Sequence, residues 1–192
     1  MTRALFIVDV QNDFTEGGAL GVEGGDAVAE AITTYLADHA DEYALIVASR
    51  DWHDPEGDNG GHFAEEPDFV GTWPIHCVAE TPGAEYDPGL STDAVTHHVK
   101  KGQGVPAYSL FEGTTDSGES VSDLLTARGV VDVDVVGIAT DYCVRASAMD
   151  AIEHGCRVRI FTDLIAGVAA ETSDAALAEL AHAGAQLAES AA

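Results

Sequence analysis

Short continuous apolar runs recur along this chain, separated by stretches of helical or irregular character. Residues 4–9 (Ala4-Leu5-Phe6-Ile7-Val8-Asp9) and 43–49 (Tyr43-Ala44-Leu45-Ile46-Val47-Ala48-Ser49) lack the in–out alternation of a half-exposed strand. They read instead as strands covered on both faces, the usual situation in a parallel sheet. Further short strands are predicted near 95–99, 131–138 and 157–161, with a last edge strand at 185–188. Between them, Val28, Ile32, Tyr35 and Leu36 recur at helical spacing within 26–40, and helices are predicted over 118–128, 141–153 and 171–182. Such alternation implies a three-layer α/β/α sandwich around a mainly parallel central sheet. With no internal repeat or low-complexity linker, residues 1–192 are expected to form a single domain. In folds of this kind ligands bind beyond the carboxyl ends of the strands. Asp9, Asp51, Lys101 and the residues after Gly137 all lie at or just past predicted strand ends, so the chemistry should converge on one edge.

The segment 51–92 breaks the pattern. It holds Trp52, His53, His62, Trp73 and His76 among many Gly, Pro and acidic residues, with little periodicity. A loop that long inside a compact domain is usually functional.

Charge narrows the partners. There are 34 acidic residues against 8 basic ones, a formal net charge of −26, whereas small soluble domains usually carry roughly 2–8. That excess repels nucleic acid and anionic membranes, and neither is expected as a partner. The acids are scattered between apolar residues rather than gathered into a tail, which points to adaptation to high salt. No run approaches the ~20 apolar residues of a membrane span, and Arg3 leads straight into a strand rather than a secretory segment. A cytoplasmic location is therefore expected, and a homo-oligomer stays open.

Three cysteines, Cys77, Cys143 and Cys156, do not make a disulfide framework, which leaves packing, metal binding or catalysis. Cys143 follows the strand Val136-Gly137-Ile138 and a tight turn, and a helix is predicted to start at Thr140 or Asp141. A thiol in that first turn meets unpaired N–H groups and the positive end of the helix dipole, which should lower its pKa. The same N–H groups could hold an oxyanion in acyl transfer. A buried core cysteine is the plainer reading, but the strand–turn–helix setting weighs against it. Cys156 reads as a small core residue, and Cys77 as a ligand or a spectator.

Lys100 and Lys101 are the only lysines, adjacent at the end of the strand around His97-His98-Val99. Because strand residues alternate, one of the two should face the site, where it could steady a thiolate. Asp9 could supply the matching carboxylate. A nucleophile, a cation and a group able to protonate a departing amine are what an amidase requires. Asp51, His53, His62 and His76 form a candidate metal set, since residues 51 and 53 of an extended segment point the same way. Three imidazoles and a carboxylate suit Zn(II), Fe(II) or Mn(II). His39 and His154 read as exposed residues at helix ends.

Several segments together resemble the nicotinamidases of the isochorismatase-like cysteine hydrolases. They are Phe6-Ile7-Val8-Asp9-Val10-Gln11-Asn12-Asp13-Phe14, Asp51-Trp52-His53, Gly61-His62-Phe63, Thr72-Trp73-Pro74-Ile75-His76-Cys77-Val78, Lys101-Gly102, Ala107-Tyr108-Ser109-Leu110-Phe111 and Gly137 to Val144. The resemblance spans nearly the whole chain. It implies a catalytic triad of Asp9, Lys101 and Cys143, with Lys101 chosen because it precedes Gly102. One divalent metal ion would be held by Asp51, His53, His62 and His76. Phe14 and Trp73 match positions that sandwich a pyridine ring, and Tyr108 matches another pocket position. A cis peptide is implied before Ala139, whose N–H would form an oxyanion hole with that of Cys143. The implied partner is a small-molecule amide, nicotinamide, and an amidohydrolase acting on carbamoyl or ureido substrates is the alternative. Two departures stand out: Tyr142 replaces the histidine of some relatives, and an insertion at Asp58-Asn59-Gly60 shifts His62 along the chain.

Overall fold

The computed structural model describes residues 2–190. Among these, six strands form one sheet: β1 (Thr2–Val8), β2 (Leu45–Asp51), β3 (His97–Lys101), β4 (Val130–Ile138), β5 (Arg157–Ala166) and β6 (Gln186–Ala188). Their order is β3-β2-β1-β4-β5-β6, and every neighbouring pair is parallel. Four helices connect them: α1 (Gly25–His39), α2 (Val121–Arg128), α3 (Arg145–Glu153) and α4 (Ala170–Ala183).

The continuous apolar runs lie where both faces of the sheet are covered. Leu5, Ile7, Ile46, Ala48, Val136 and Ile138 pack on one side with Val28, Ile32 and Leu36 of α1. Ala4, Phe6, Val8, Val47, Val133 and Val135 pack on the other with Leu124, Leu125, Ala148 and Leu180 of α2, α3 and α4. This is the expected three-layer sandwich, with a sheet that is parallel throughout rather than mainly so.

The differences from the sequence-based boundaries have local causes. The expected strand at 157–161 continues to Ala166. Thr162 and Asp163 interrupt its apolar pattern and are exposed, but the pairing with β4 resumes after an irregularity, matching Gly137 to Ile165. The strand expected at 95–99 is β3, displaced to 97–101 because both lysines are paired into the ladder with Arg50 and Asp51. The helix expected from 118 begins only after Ser120, whose hydroxyl accepts the Asp123 N–H at 3.1 Å as an N-cap.

The strand order reverses direction between β1 and β4, and such a switch point opens a crevice at the carboxyl ends of the two strands. Gly137 makes their close approach feasible. It has φ +116°, and a β-carbon there would lie 2.2 Å from the Val8 carbonyl oxygen and 2.6 Å from the Val8 nitrogen. Gly137→Ala is expected to destabilise the protein by about 3 kcal/mol or more, through backbone conflict rather than lost contacts. Urea unfolding checks this, and a variant as stable as the parent would show that β1 and β4 can part without loss.

Candidate active site

Four strand ends deliver the polar groups. Asp9 follows β1 with φ +47°, a left-handed turn that takes the chain out of the sheet. Its carboxylate is fully buried, and Oδ1 accepts a hydrogen bond from the Ser49 hydroxyl of β2 at 2.7 Å. Asp51 ends β2 and Lys101 ends β3. Cys143 follows β4 inside a π-helical turn, Thr140–Val144, that precedes α3. The nucleophile candidate thus sits in a wide turn before the helix rather than in the first turn of a regular helix, a local form often found at functional sites. The peptide between Ile138 and Ala139 is cis. The Ala139 carbonyl accepts the N–H groups of both Tyr142 and Val144.

The Lys101 ammonium is the centre of the arrangement and is wholly buried. It lies 2.9 Å from Asp9 Oδ2, donates to Asp51 Oδ1, and is 3.8 Å from the Cys143 sulfur. Lys100 points the other way, pairing with exposed Asp116 at 2.9 Å and lying over the Trp52 ring. Burial disfavours a charged Lys101, but the two carboxylates outweigh it and hold the group well above the usual lysine range. Burial also raises the Asp51 carboxyl, yet the Lys101 charge and the neighbouring imidazoles leave it well below the ordinary range. Asp9 moves the opposite way: burial raises it, Lys101 opposes this only in part, and the Asp51 charge adds to the rise.

Cys143 departs from the sequence-based expectation of a lowered thiol pKa. Burial pushes it well above the ordinary thiol range, and Lys101 counters this only in part while Asp9 and Asp51 add to it. The resting side chain is therefore a thiol with a carboxylate close by, rather than a preformed thiolate.

The long segment 51–92 folds back by two short parallel bridges, His53 with Val78 and Phe63 with Trp73. The Trp73 N–H donates to the His62 carbonyl at 2.9 Å, and the His53 N–H to the Cys77 carbonyl at 3.0 Å. These links gather His53, His62 and His76, whose ring nitrogens lie within 4.8 Å of one another. All three histidines are buried. Asp51 Oδ2 stands 3.6 Å from His53 Nε2 and 3.7 Å from His76 Nε2. His53 Nδ1 is 2.8 Å from the Gly102 carbonyl and His76 Nδ1 is 2.8 Å from the Pro74 carbonyl, which turns the Nε2 of each towards Asp51. His62 is driven down to about 4, first by burial and then by repulsion from the other two rings. Neutral imidazoles are the form that binds metal. His53 Nε2 and His62 Nδ1 have no hydrogen-bond partner among the described residues, although both atoms are buried. Orphaned nitrogens beside a carboxylate fit a divalent cation, because it would satisfy what the protein leaves unpaired.

Both groups open on one cavity of about 290 Å³, whose wall includes Phe14, Asp51, His62, Trp73, His76, Tyr108, Ala139, Tyr142 and Cys143. The Phe14 and His76 ring centres are 5.5 Å apart, and the Trp73 indole donates to the Tyr108 hydroxyl at 3.1 Å. The structure thus brings Asp9, Lys101 and Cys143 beside Asp51 and the three histidines, with Phe14, Trp73, Tyr108 and Ala139 on the cavity wall. Cys77 and Cys156 lie outside: Cys77 is buried with its N–H on the Asp13 carboxylate, and Cys156 is buried in the core. The segment Asp58-Asn59-Gly60 keeps its place through buried Asn59, whose amide holds Asp54 and the Gly104 N–H.

Sequence reading missed Ser49 and Gln11. The Gln11 amide donates to the Asp51 and Ala84 carbonyls, each at 2.9 Å, and accepts the Asp51 N–H at 2.8 Å. It joins the end of β2 to the loop after β1. Its sequence signals are a polar side chain three residues past a buried strand and its place in the Phe6–Phe14 segment.

Fold and site together define a parallel α/β protein with a thiol, an ammonium and paired carboxylates at its switch point, beside a histidine cluster suited to a metal. The chain belongs to the isochorismatase domain family, which it matches over residues 3–192. It is 51% identical over 185 residues to the nicotinamidase/pyrazinamidase of Mycobacterium tuberculosis, with 96% of this chain and 97% of that one covered. Among solved structures it is similar to the pyrazinamidase of Pyrococcus horikoshii in complex with zinc, with a TM-score of 0.82, 38% identity, and 98% and 99% of the two chains covered. It is also similar to PnC1 from L. infantum in complex with nicotinate, with a TM-score of 0.84, 35% identity, and 99% and 93% covered.

Alkylation of Cys143 by iodoacetamide, followed by mass spectrometry of its peptide, is expected to be slow at neutral pH and to accelerate only above the usual thiol range. Asp9→Asn removes a negative neighbour and should move that onset to lower pH. A wild-type onset at or below neutrality would contradict a thiol resting state.

Proposed function

We propose that the protein is a metal-dependent nicotinamidase that hydrolyses nicotinamide to nicotinate and ammonia through a Cys143 thioester, as a step of NAD salvage. The observation that carries this reading is the Lys101 ammonium, 2.9 Å from Asp9 and 3.8 Å from the Cys143 sulfur, beside a cavity that also meets the histidine cluster. The likeness to nicotinamidases over nearly the whole chain supports the substrate. Residues 1–192 act as one hydrolase domain in this reading.

In this reading each group has a role that its position supports. Asp9, with its raised pKa, accepts the thiol proton, and Lys101 steadies the charges that result. The sulfur attacks the amide carbonyl, and the tetrahedral oxyanion rests on the N–H groups of Ala139 and Cys143. Collapse breaks the C–N bond as Asp9 returns its proton to the departing ammonia. Water, deprotonated by Asp9, then cleaves the thioester to nicotinate and the free thiol. Phe14 and Trp73 bracket the pyridine ring, and Tyr108 closes the pocket beside them. Zinc, iron or manganese held by Asp51, His53, His62 and His76 would offer a Lewis-acid anchor for the ring nitrogen.

Ammonia release from nicotinamide tests the reading. Activity is expected to fall by roughly a thousandfold or more in Cys143→Ala and to be lost in chelator and restored by metal. Full turnover by Cys143→Ala would refute the nucleophile. Metal-loaded wild type that hydrolyses N-carbamoyl amides but not nicotinamide would transfer the site to the carbamoyl alternative.

The protein also reads as halophilic and cytoplasmic, with neither nucleic acid nor membrane as partner. Apart from Arg128, which bonds the Ala44 carbonyl, the basic side chains each pair with a carboxylate. The remaining acids of a chain with net charge −26 therefore repel one another without compensation. Salt should relieve that repulsion. The melting temperature is expected to rise from dilute buffer to molar KCl, and a flat or falling curve would remove the halophilic reading.

A further inference from the structure

Asp141, Tyr142 and Cys143 follow the end of β4 together, and Tyr142 and Cys143 line the pocket while Asp141 reaches the start of α4. The Asp141 carboxylate accepts the N–H groups of Val168 at 3.0 Å and Ala169 at 3.3 Å, together with the Thr172 hydroxyl. It thereby fixes the start of α4 and, with it, Val168 on one rim of the cavity. Tyr142 reaches the Phe69, Trp73 and Tyr108 part of the wall. Its hydroxyl donates to the Phe69 carbonyl at 3.3 Å, and its ring meets the Trp73 indole edge-on at 5.0 Å and lies 6.2 Å from the Tyr108 ring at 26°.

The segment carrying Phe69 is a preformed turn. The Asp68 carboxylate accepts the N–H groups of Val70, Gly71 and Thr72, each at 2.9 Å, and the Thr72 hydroxyl. Yet Phe69 is 56% exposed and Val70 73% exposed, so little burial holds the turn against the body. Its polar and aromatic attachments to the nucleophile turn run through Tyr142.

We propose that Tyr142 is the specificity-determining residue of the pocket mouth, a positioning residue that ties the 68–73 turn to the nucleophile turn and limits the substrate's outer edge. This role rests on the nicotinamidase reading. With the ring nitrogen at the histidine cluster and the carboxamide at Cys143, the edge of the ring between these two anchors faces inward. Carbon 5, directly opposite that edge, then points to the mouth, where Tyr142, Phe69 and Val168 stand. A substituent there meets a rim that Tyr142 holds closed.

The test compares wild type, Tyr142→Phe and Tyr142→Ala by steady-state kinetics on nicotinamide and 5-methylnicotinamide, and by amide hydrogen exchange of residues 68–73. Tyr142→Phe loses one exposed neutral hydrogen bond, so KM for nicotinamide should rise roughly threefold with kcat nearly unchanged. Exchange across 69–72 should quicken. Tyr142→Ala should raise kcat/KM for 5-methylnicotinamide relative to nicotinamide by about tenfold, while Tyr142→Phe keeps the wild-type ratio. Unchanged exchange and KM in Tyr142→Phe would overturn the tether, and an unchanged substrate ratio in Tyr142→Ala would overturn the specificity role. Wild type without activity on nicotinamide would sink the nicotinamidase reading and the specificity role with it, while exchange in Tyr142→Phe would still decide the tether.

Discussion

The buried ammonium of Lys101, held between Asp9 and Asp51, organises the rest of the site. Two carboxylates could not stay charged together in this dry environment, and neither could a lone ammonium. Their joint presence keeps Asp51 ionised beside the histidines while Asp9 is left with a raised pKa beside the thiol. Around one cation, two chemically similar carboxylates therefore titrate in opposite directions. Removing one partner of such a cluster typically costs about 3–5 kcal/mol, so stability and chemistry depend on the same contacts.

Sheet topology is what allows these groups to meet. Asp9, Asp51, Lys101 and Cys143 come from the ends of four different strands, and β1 and β4 lie side by side only because the strand order reverses there. The approach is close enough that Gly137 has no room for a side chain. Ser49 and Gln11, one on β2 and one just past β1, then hold the carboxylate-bearing ends in register.

The segment after β2 contributes the three histidines together with Phe69 and Trp73, with no strand or helix of its own beyond a short turn at Pro82–Ala84. Two bridges, the Asn59 amide and the Asp68 turn replace the missing ladder. A polar loop tied by side chains to its own backbone can be both irregular and fixed, which a metal cluster and a shaped pocket require.

Much of this was legible in the chain itself. Continuous apolar runs and helical spacing determined the layers, because burial on two faces leaves a distinct pattern. Adjacent lysines after a strand and histidines at 53, 62 and 76 marked the site, since such residues have little reason to recur in so acidic a protein. Where the pattern mixed polar with apolar residues, as at Thr162-Asp163 and Lys100-Lys101, strand limits were misplaced, because pairing depends on the neighbouring strand and not on local composition. The thiol's pKa direction also escaped the sequence. Helix position argued for lowering it, but burial beside two carboxylates prevailed, and burial is a property of packing. Sequence alone thus determined which elements form and which side chains carry reactive groups. Only the tertiary structure decided how each group titrates and which side chains line the pocket, because those depend on distances between residues far apart in the chain.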